Sequence, residues 1–436
     1  MTELYRKYRD CAYKVTTDSR AIEGGEIFFA LRGENFDGNA YAQSALEKGA
    51  RWAVVNSDAD LPQDDRFIKV DNPFETLTEL AVWHRNHVIE GKRLPVIGLT
   101  GTNGKTTTKE LIAAVLARKY RVTATQGNLN NDIGVPLSIL KIIPETQIAV
   151  IEMGANHPDD IARLVKVSQP DYGLITNVGR GHLLGFGDFD GVKKAKGELY
   201  KWLSSRDGSV MFLNNDDKDL REMARDWATC HIWPYGLKYQ AASILPANAC
   251  NPFLRMRLKG GEVIETGLVG AYNSANVLAA LAVGEYFGVG LDDAIDAISS
   301  YVPRNNRSQL VKTFCNTVIV DAYNANPSSM KASLENFAAM VSECKLALLG
   351  DMRELGEESL AEHVKVIEQL RNCGLEACLV GEEFGRALKS LGLTADKWYA
   401  SSRELCEALK SAPVSGRTVL VKGSHSIGME SVLEYL

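Results

Sequence analysis

Short apolar runs recur along the chain and alternate with longer amphipathic stretches. Apolar runs of four or five residues are typical of strands buried on both faces, and the stretches between them have the length of helices. The runs predict strands at 27–31, 52–55, 95–99, 148–151, 173–176, 317–320, 346–349, 377–380 and 418–421. We also expect a strand pair over 253–269 and helices at 39–48, 74–90, 105–116 and 273–287. This succession predicts an α/β fold with mainly parallel sheets, whose functional loops follow the carboxyl ends of the strands.

Two breaks divide this pattern. A chain of 436 residues is too long for one ordinary core, so two to three domains are expected. The basic stretch at 91–95 contains Gly and Pro and has the composition of a linker. Pro303-Arg304-Asn305-Asn306-Arg307 marks the second break. We therefore predict domains over residues 1–92, 93–303 and 304–436.

Composition narrows the class of protein. With 45% apolar and 24% charged residues, the chain has the make-up of a soluble globular protein. A net charge of −6 argues against non-specific nucleic-acid binding. We expect a cytoplasmic protein without a membrane span, because no run approaches about 18 apolar residues and the N-terminus lacks an apolar signal core. The eight cysteines form no C-x-x-C pair, which favours reduced thiols over a disulfide framework or zinc site.

Residues 98–108, Gly-Leu-Thr-Gly-Thr-Asn-Gly-Lys-Thr-Thr-Thr, predict a phosphate-binding loop. A predicted strand precedes the segment and a predicted helix follows it. Gly101 and Gly104 allow a tight turn with inward-facing N–H groups, and Lys105 adds a positive charge. The full Walker pattern has a further glycine where this chain has Leu99, so the loop is a short version. It indicates ATP or GTP binding.

Three other segments contain charged or titratable residues, two of them at the ends of predicted strands. Glu152 ends a strand and could reach a magnesium ion beside Thr106, although a solvated loop glutamate is an equal alternative. His182 follows the next strand, where a hydrogen-bonded loop histidine is favoured over a metal ligand. Lys193, Lys194 and Lys196 have the spacing of a solvated helix face.

Asp321–Met330 joins a predicted strand to a predicted helix, and its Asn326-Pro327-Ser328 is a helix start. The Asp, Tyr and Asn residues before this start exceed what capping requires. The segment therefore indicates a binding role as well.

Several segments together resemble the Mur ligases, the ATP-dependent enzymes that build the peptide of peptidoglycan. The likeness runs through Thr17–Arg20, Phe29–Glu34, Phe36–Gly38, the short phosphate loop and Gly127–Pro136. It implies an N-terminal α/β uridine-nucleotide domain, a central P-loop domain with a mainly parallel sheet, and a C-terminal Rossmann-like domain that binds the incoming substrate and part of ATP. The residues matching the uridine-nucleotide substrate site are Ser19, Arg32, Gly33, Asp37, Asn128 and Asn131.

The resemblance also implies roles for individual residues. Lys196 matches a lysine that CO₂ carbamylates, and its carbamate would bind the second of two magnesium ions. Thr106, Glu152 and His182 match the other metal-site positions. Lys105, Lys196, His182 and Arg307 match catalytic positions. The family's adenine histidine is Tyr272 here, which leaves that role in doubt. The ATP-contacting positions are Gly101, Thr102, Asn103, Gly104, Lys105, Thr106, Thr107, Asn273, Asn276, Arg307, Asp321 and Asn324.

Within the family, three segments favour joining D-alanyl-D-alanine to UDP-N-acetylmuramoyl-tripeptide through an acyl phosphate: Glu152–Pro158, Asp321–Met330 and Gly350–Gly356. The enzyme that adds the third peptide residue typically carries Asp-Asn-Pro-Arg, which does not occur here. That enzyme, a folylpolyglutamate synthetase-like ligase and a nucleotide-gated regulatory protein are the alternatives. We expect a monomer that closes over its substrates, with hinges near 91–95 and 303.

Overall fold

A computed structural model of the chain describes residues 1–89, 91–227, 229–246, 252–303, 307–342 and 344–436. Three α/β units follow one another along the chain, each built on its own sheet. The predicted α/β class is confirmed. In the part of the chain that the model describes, no helix combines the length and apolar character needed to cross a membrane.

The first unit is a four-stranded parallel sheet in the order β1-β2-β5-β6, with a two-stranded hairpin, β3-β4, beside it. The predicted strand at 27–31 ends early, at Phe29, because Leu31 turns to accept a hydrogen bond from Gly38 N. Its elements are α1 (Thr2–Asp10), β1 (Val15–Thr16), β2 (Ile27–Phe29), β3 (Arg32–Gly33), β4 (Phe36–Asp37), α2 (Ala42–Glu47), β5 (Trp52–Asn56), β6 (Phe67–Val70) and α3 (Pro73–His87).

The central unit is a six-stranded, fully parallel sheet in the order β12-β11-β10-β7-β9-β8. A small antiparallel sheet, β13-β14-β15, follows it. The elements are β7 (Val96–Thr100), α4 (Lys105–Leu116), β8 (Val122–Ala124), α5 (Gly134–Ile139), β9 (Ile148–Glu152), α6 (Asp160–Ser168), β10 (Tyr172–Ile175), α7 (Leu183–Phe186), α8 (Phe189–Ser204), β11 (Val210–Asn214), α9 (Lys218–Arg225), β12 (His231–Tyr235), β13 (Ser243–Leu245), β14 (Phe253–Arg257), β15 (Val263–Val269), α10 (Ser274–Tyr286) and α11 (Leu291–Ser299).

The strand order of the central sheet reverses at β7. The chain leaves β7 for β8, returns through β9 and then crosses to β10 on the other side of β7. Ligands of open α/β sheets bind outside the carboxyl ends of strands at such a point. The loops after β7, β9 and β10 therefore lie where a substrate site is expected.

The third unit has a six-stranded sheet in the order β16-β17-β21-β18-β19-β20, in which β16 is antiparallel and its neighbours are parallel. The predicted domain boundary at 303/304 adjoins residues 304–306, which lie outside the described residues. The elements are β16 (Gln309–Lys312), β17 (Thr317–Asp321), α12 (Pro327–Ala339), β18 (Lys345–Gly350), α13 (Ser359–Asn372), β19 (Ala377–Val380), α14 (Glu382–Ser390), β20 (Trp398–Tyr399), α15 (Ser402–Ser411) and β21 (Thr418–Lys422).

Candidate active site

The strand ends of the central and third units face one another around a cavity of about 400 Å³. The phosphate loop and the ends of β9 and β10 form one side. The loop after β17 and the start of α12 form the other. Of the residues predicted from the sequence, those lining the cavity are Thr102, Asn103, Gly104, Lys105, Thr107, Glu152, His182, Asn273, Asn276, Arg307, Asp321 and Asn324.

The phosphate loop needs both of its glycines. Gly101 (φ +148°) and Gly104 (φ +77°) have backbone angles that other residues rarely adopt. A Cβ at Gly101 would collide with Thr176 Oγ1, and one at Gly104 would lie 2.8 Å from Asn276 Oδ1. The loop is thus packed tightly between β10 and α10, which leaves no room for a side chain at either position.

Lys105 opens helix α4 at the inner side of the loop. Its Nζ donates hydrogen bonds to Gly101 O at 2.7 Å and Thr102 O at 3.1 Å. The surrounding protein lowers the pKa of Lys105 to about 8, mainly by removing water from the ammonium; Glu152 opposes this shift and Arg307 adds to it. Lys105 is still mostly protonated at neutral pH, so a positive charge lies ready for a phosphate.

Glu152 ends β9 with its carboxylate beside α4. Its Oε1 accepts hydrogen bonds from Thr106 Oγ1 at 3.2 Å and Asn130 Nδ2 at 2.8 Å. Its Oε2 is buried and has no hydrogen-bond partner among the described residues. A buried, unpaired carboxylate oxygen is costly unless a cation or donor meets it. Together with the Thr106 hydroxyl, it forms an oxygen-rich position that suits Mg²⁺.

Lys196 contradicts the sequence pattern that predicted a solvated lysine face. It lies on α8 and is 1% exposed, whereas Lys194 is exposed. Its Nζ donates one long hydrogen bond, to Ala155 O at 3.4 Å. Burial, reinforced by nearby Lys105, holds the pKa of Lys196 well below its usual range. Burial therefore favours the neutral amine at this position beneath the cavity wall, and the neutral amine is the form that reacts with CO₂.

His182 lies just before α7 and lines the cavity. Its Nδ1 is 2.5 Å from Oε2 of Glu354, which belongs to the third unit. The neighbouring His182 lowers the pKa of Glu354. The structure therefore places a carboxylate in charge contact with His182, which the sequence did not indicate, although Nδ1 makes no aligned hydrogen bond among the described residues.

Asn273 and Asn276 are engaged with the protein in this structure. Asn276 Nδ2 donates to Asn273 Oδ1 at 2.9 Å, while Thr108 Oγ1 donates to Asn276 Oδ1 at 3.0 Å. These contacts hold α4 against α10. Each amide side chain can still form a further hydrogen bond, for example with the edge of an adenine base. Tyr272 takes the neighbouring position, with its hydroxyl 3.0 Å from Ser308 Oγ.

Arg307 and Asp321 carry charge from the third unit into the cavity. The Arg307 guanidinium lies 3.6 Å from the centre of the Tyr323 ring, and its Nε is buried without a hydrogen-bond partner among the described residues. Asp321 ends β17 and accepts hydrogen bonds from Lys422 Nζ at 2.6 Å and Ser333 Oγ at 2.9 Å. Adjacent strands bring the charged pair together, because Asp321 and Lys422 are register partners.

None of the six predicted uridine-nucleotide residues is among those that line this cavity. Arg32, Gly33 and Asp37 belong to the β3-β4 hairpin, where Arg32 pairs with Asp37 at 3.1 Å. Ser19 lies before β2, and its carbonyl accepts a hydrogen bond from Lys48 Nζ. Asn128 and Asn131 are in the loop after β8. Most of the predicted ATP and metal residues line this one cavity, whereas Gly101, Thr106 and Lys196 do not, and neither do these six.

Several cavity residues were not among the predicted site residues, including Asn130, Ser308, Tyr323 and Ser333. Asn130 lies between the two predicted asparagines of the same loop, so the polar run at 128–131 was a usable signal. Tyr323 is part of the polar segment already noted after β17. Nothing in the sequence distinguished Ser308 or Ser333 from ordinary surface serines.

Comparisons with known proteins give matches along nearly the whole chain. Residues 12–100 match the family model "Mur ligase family, catalytic domain", 99–284 the "Mur ligase middle domain" and 306–425 the "Mur ligase, glutamate ligase domain". UDP-N-acetylmuramoyl-tripeptide–D-alanyl-D-alanine ligase of Escherichia coli strain K12 is 34% identical, with 97% of this chain and 93% of that protein covered.

Two solved structures are also similar. The crystal structure of MurF from Acinetobacter baumannii superposes with a TM-score of 0.83 at 29% identity, covering 97% of this chain and 92% of that one. MurF ligase from Thermotoga maritima, in complex with ADP, gives 0.80 at 26% identity, covering 97% and 96%.

Proposed function

The chain belongs to the Mur ligase family, and we propose that it uses ATP to join D-alanyl-D-alanine to UDP-N-acetylmuramoyl-tripeptide in peptidoglycan precursor synthesis. Its 34% identity to an enzyme of that name, over 97% of the chain, supports this substrate pair. The observation that carries the chemistry is the cavity itself. It brings Lys105 and Glu152 of one unit to face Arg307 and Asp321 of another.

In the first step, the terminal carboxylate of the tripeptide attacks the γ-phosphorus of ATP. The bond from that phosphorus to the ADP oxygen breaks, which leaves an acyl phosphate and ADP. The loop N–H groups and Lys105 bind the phosphates from one side and Arg307 from the other. Two anions must approach each other, so catalysis here consists mainly of positioning and charge neutralisation.

In the second step, the neutral amine of D-alanyl-D-alanine attacks the acyl carbon. A tetrahedral intermediate forms, the nitrogen loses a proton, and the carbon–oxygen bond to phosphate breaks. The products are the amide and inorganic phosphate. Arg307 and Lys105 remain next to the departing phosphate and stabilise its charge.

The residues present fit magnesium. We propose that Thr106 and Glu152 hold one ion, since the unpaired Glu152 Oε2 offers a buried anionic ligand. His182 and Lys196, the latter as a carbamate, are proposed for the second ion. Bound Mg²⁺ would offset the negative charge that builds on the phosphate oxygens.

Carbamylation of Lys196 has a direct test. We expect the protein in ¹³C-bicarbonate to show a carbamate carbon resonance by NMR. This resonance should be absent from Lys196→Arg, because an always-charged guanidinium does not react with CO₂. Lys194→Arg, on the exposed face of the same helix, is the control and should keep the signal. Equal signals in both variants would contradict the assignment.

We propose that the first unit binds the uridine nucleotide through Ser19, Arg32, Gly33 and Asp37, with Asn128 and Asn131 contributing from the central unit. The proposed domains remain 1–92, 93–303 and 304–436, with hinges near 91–95 and 303. The Arg32–Asp37 and Arg32–Asp58 pairs hold the β3-β4 hairpin in place. A monomer is the proposed oligomeric state.

Phosphate release tests the function as a whole. The purified chain is given ATP, Mg²⁺ and UDP-N-acetylmuramoyl-tripeptide, with and without D-alanyl-D-alanine. We expect release that depends on both substrates. UDP-N-acetylmuramoyl-dipeptide with a diamino acid, and a folate with glutamate, test the two alternative ligases. Equal phosphate release with and without D-alanyl-D-alanine, or no phosphate release at all, would overturn the proposal.

A matched pair of lysine variants ties that activity to the cavity. Lys105→Met should lower kcat/KM by about 10²- to 10³-fold, since it removes one pre-positioned cation from the phosphates. Lys218→Met, on exposed α9 and remote from the cavity, should leave it unchanged. Equal activity of the two variants would contradict the proposed site.

A further inference from the structure

We propose that Glu354 is a positioning residue, which orients His182 across the boundary between the central and third units. The proposal rests on the proposed function. It adds that residues 180–184 of the central unit form a clasp with Ser328, Glu354, Glu358 and Glu362 of the third unit. Through this clasp, docking of the third unit completes the site on the central unit. The carboxylate of the pair belongs to one unit and the imidazole to the other.

The clasp contains several contacts besides the His182–Glu354 pair. Leu184 N donates to Glu354 O at 3.2 Å. Arg180 Nη1 lies 2.9 Å from Glu358 Oε2, with Glu362 also near at 3.9 Å. Arg180 N donates to Ser328 Oγ at 3.0 Å, at the start of α12. Backbone and side chains of one short loop therefore engage two segments of the other unit.

The backbone conformation at the clasp also indicates a functional role. His182 has φ +54° and Glu354 has φ +63°, so both are non-glycine residues in the left-handed region. Such conformations cost free energy and persist where surrounding contacts impose them, often at functional sites. Here two strained residues contact each other across a unit boundary. Stability alone does not account for the pair, because the Glu354 side chain is 54% exposed and exposed ion pairs contribute little.

The geometry points to control of the imidazole. The Glu354 carboxylate, 2.5 Å from Nδ1, favours a hydrogen on that nitrogen through its charge, although the contact is not aligned as a hydrogen bond. With the hydrogen on Nδ1, the lone pair lies on Nε2. His182 lines the cavity, and Nε2 is then the nitrogen available to a ligand inside it. When the third unit moves away, Glu354 leaves and the imidazole loses this constraint. Through Glu354, docking of the third unit on the central unit therefore also fixes the orientation of the His182 imidazole.

Glu354→Gln tests the pair, with Glu357→Gln as control. Glu357 is exposed and has no ion-pair partner among the described residues. We expect Glu354→Gln to lower kcat by about 10- to 100-fold, the range typical of partners that orient metal-site histidines. KM for ATP should change less than threefold, and Glu357→Gln should match the unchanged protein. Equal kcat in both variants would overturn the proposal.

A charge exchange tests the clasp independently of His182. Arg180→Glu places like charges beside Glu358 and Glu362 and should impair closure, measured as the decrease in radius of gyration by small-angle X-ray scattering when an ATP analogue binds. Adding Glu358→Arg should restore at least half of that decrease. Unimpaired closure in Arg180→Glu, or no restoration in the double variant, would overturn the clasp.

The two proposals fail in different ways. If the unchanged protein does not ligate D-alanyl-D-alanine, the proposed function fails whatever the variants do. If it ligates normally and Glu354→Gln does too, the clasp alone fails. The scattering measurement needs only nucleotide, so it decides on the clasp even without the second substrate.

Discussion

Tyr323 holds Arg307 without cancelling its charge. The guanidinium lies over the ring at 3.6 Å from its centre, and the His425 ring stacks with Tyr323 at 5.8 Å between centroids. Among the described residues, no carboxylate lies within ion-pair distance of Arg307. A carboxylate would hold the arginine more firmly but would compete with the phosphates. An aromatic face fixes its direction and leaves the positive charge available.

Removing the Tyr323 ring should therefore weaken the use of ATP. We expect Tyr323→Leu to lower kcat/KM for ATP by roughly 2- to 30-fold, which corresponds to a cation–π contribution of about 0.5–2 kcal/mol. Tyr323→Phe keeps the ring and should retain most of the activity. Tyr239→Leu, at a residue that is 56% exposed, is the control for loss of a tyrosine. Steady-state kinetics with varied ATP measure the effect, and equal losses in the Leu and Phe variants would argue against stacking.

Some functional residues could be predicted from the sequence, and others could not. The phosphate loop could be predicted because its glycines and lysine serve chemistry that depends on local spacing. Lys196 could not be separated from Lys193 and Lys194 by pattern, because what distinguishes it is burial by other segments of the chain. Tyr323 was noted only as part of a polar run, since its contact with Arg307 is a tertiary one.

Helix α12 starts with a residue that serves two purposes. Asn326 Oδ1 accepts from Ser329 N at 2.9 Å, and Asn326 N donates back to Ser329 Oγ at 3.1 Å, so the first turn is capped. The Asn326 Nδ2 group donates to Asn103 Oδ1 of the phosphate loop at 2.8 Å. One amide side chain therefore both caps the start of the helix and joins the third unit to the phosphate loop.

Two substitutions of Asn326 separate these purposes. Asn326→Asp keeps the accepting oxygen but loses the donor to Asn103, so stability should change by less than about 0.5 kcal/mol. Its kcat/KM for ATP should fall roughly three- to tenfold, because a hydrogen bond to the loop is lost. Asn326→Ala should lose both the contact and about 1 kcal/mol of unfolding free energy.

Ser401→Ala provides the comparison, since Ser401 caps α15 through Glu404 N away from the cavity. It should cost about 1 kcal/mol without affecting kinetics. Urea unfolding and steady-state kinetics on the same preparations make both measurements. Full activity in Asn326→Asp would show that the contact with Asn103 is dispensable.

Helices and strands were predictable to different degrees. The expected helix at 105–116 is confirmed at both ends, because the phosphate loop fixes its start. The helix expected at 39–48 instead begins as a 3₁₀ turn over Gly38–Tyr41 before α2. The sequence also did not reveal that β16 runs antiparallel beside β17. Whether a strand is parallel or antiparallel depends on the neighbouring strand with which it pairs. The apolar run of a single strand does not indicate this direction.

The first and central units share a hydrophobic core. Tyr8 and Leu77 of the first unit pack in one cluster with Ile139 and Ile142 of the central unit. The Tyr8 hydroxyl donates to Leu140 O. Sequence analysis divided the chain near residue 92 from composition alone, and it could not show this shared core. Contacts between residues more than a hundred positions apart leave no local pattern.

His84 lies at that junction in its neutral form. Its Nε2 donates to Ile142 O at 2.7 Å, and its Nδ1 is 3.2 Å from the Tyr5 hydroxyl. Burial lowers the pKa of His84 from 6.5 to about 4. Below pH 6.5 the unfolded chain binds a proton at this residue that the folded chain does not, so folding stability falls as pH drops toward 4.

The junction should therefore weaken in acid through this one histidine. Between pH 7.5 and pH 5, the pKa difference predicts a loss of about 2 kcal/mol of unfolding free energy from His84. His84→Gln keeps hydrogen-bonding groups but does not titrate, so it should lose about 2 kcal/mol less than the unchanged protein over that range. His231→Gln, at an exposed position, should follow the unchanged protein. Urea unfolding at both pH values measures the difference. If all three proteins lose the same stability, His84 is not the acid-sensitive contact between the first and central units.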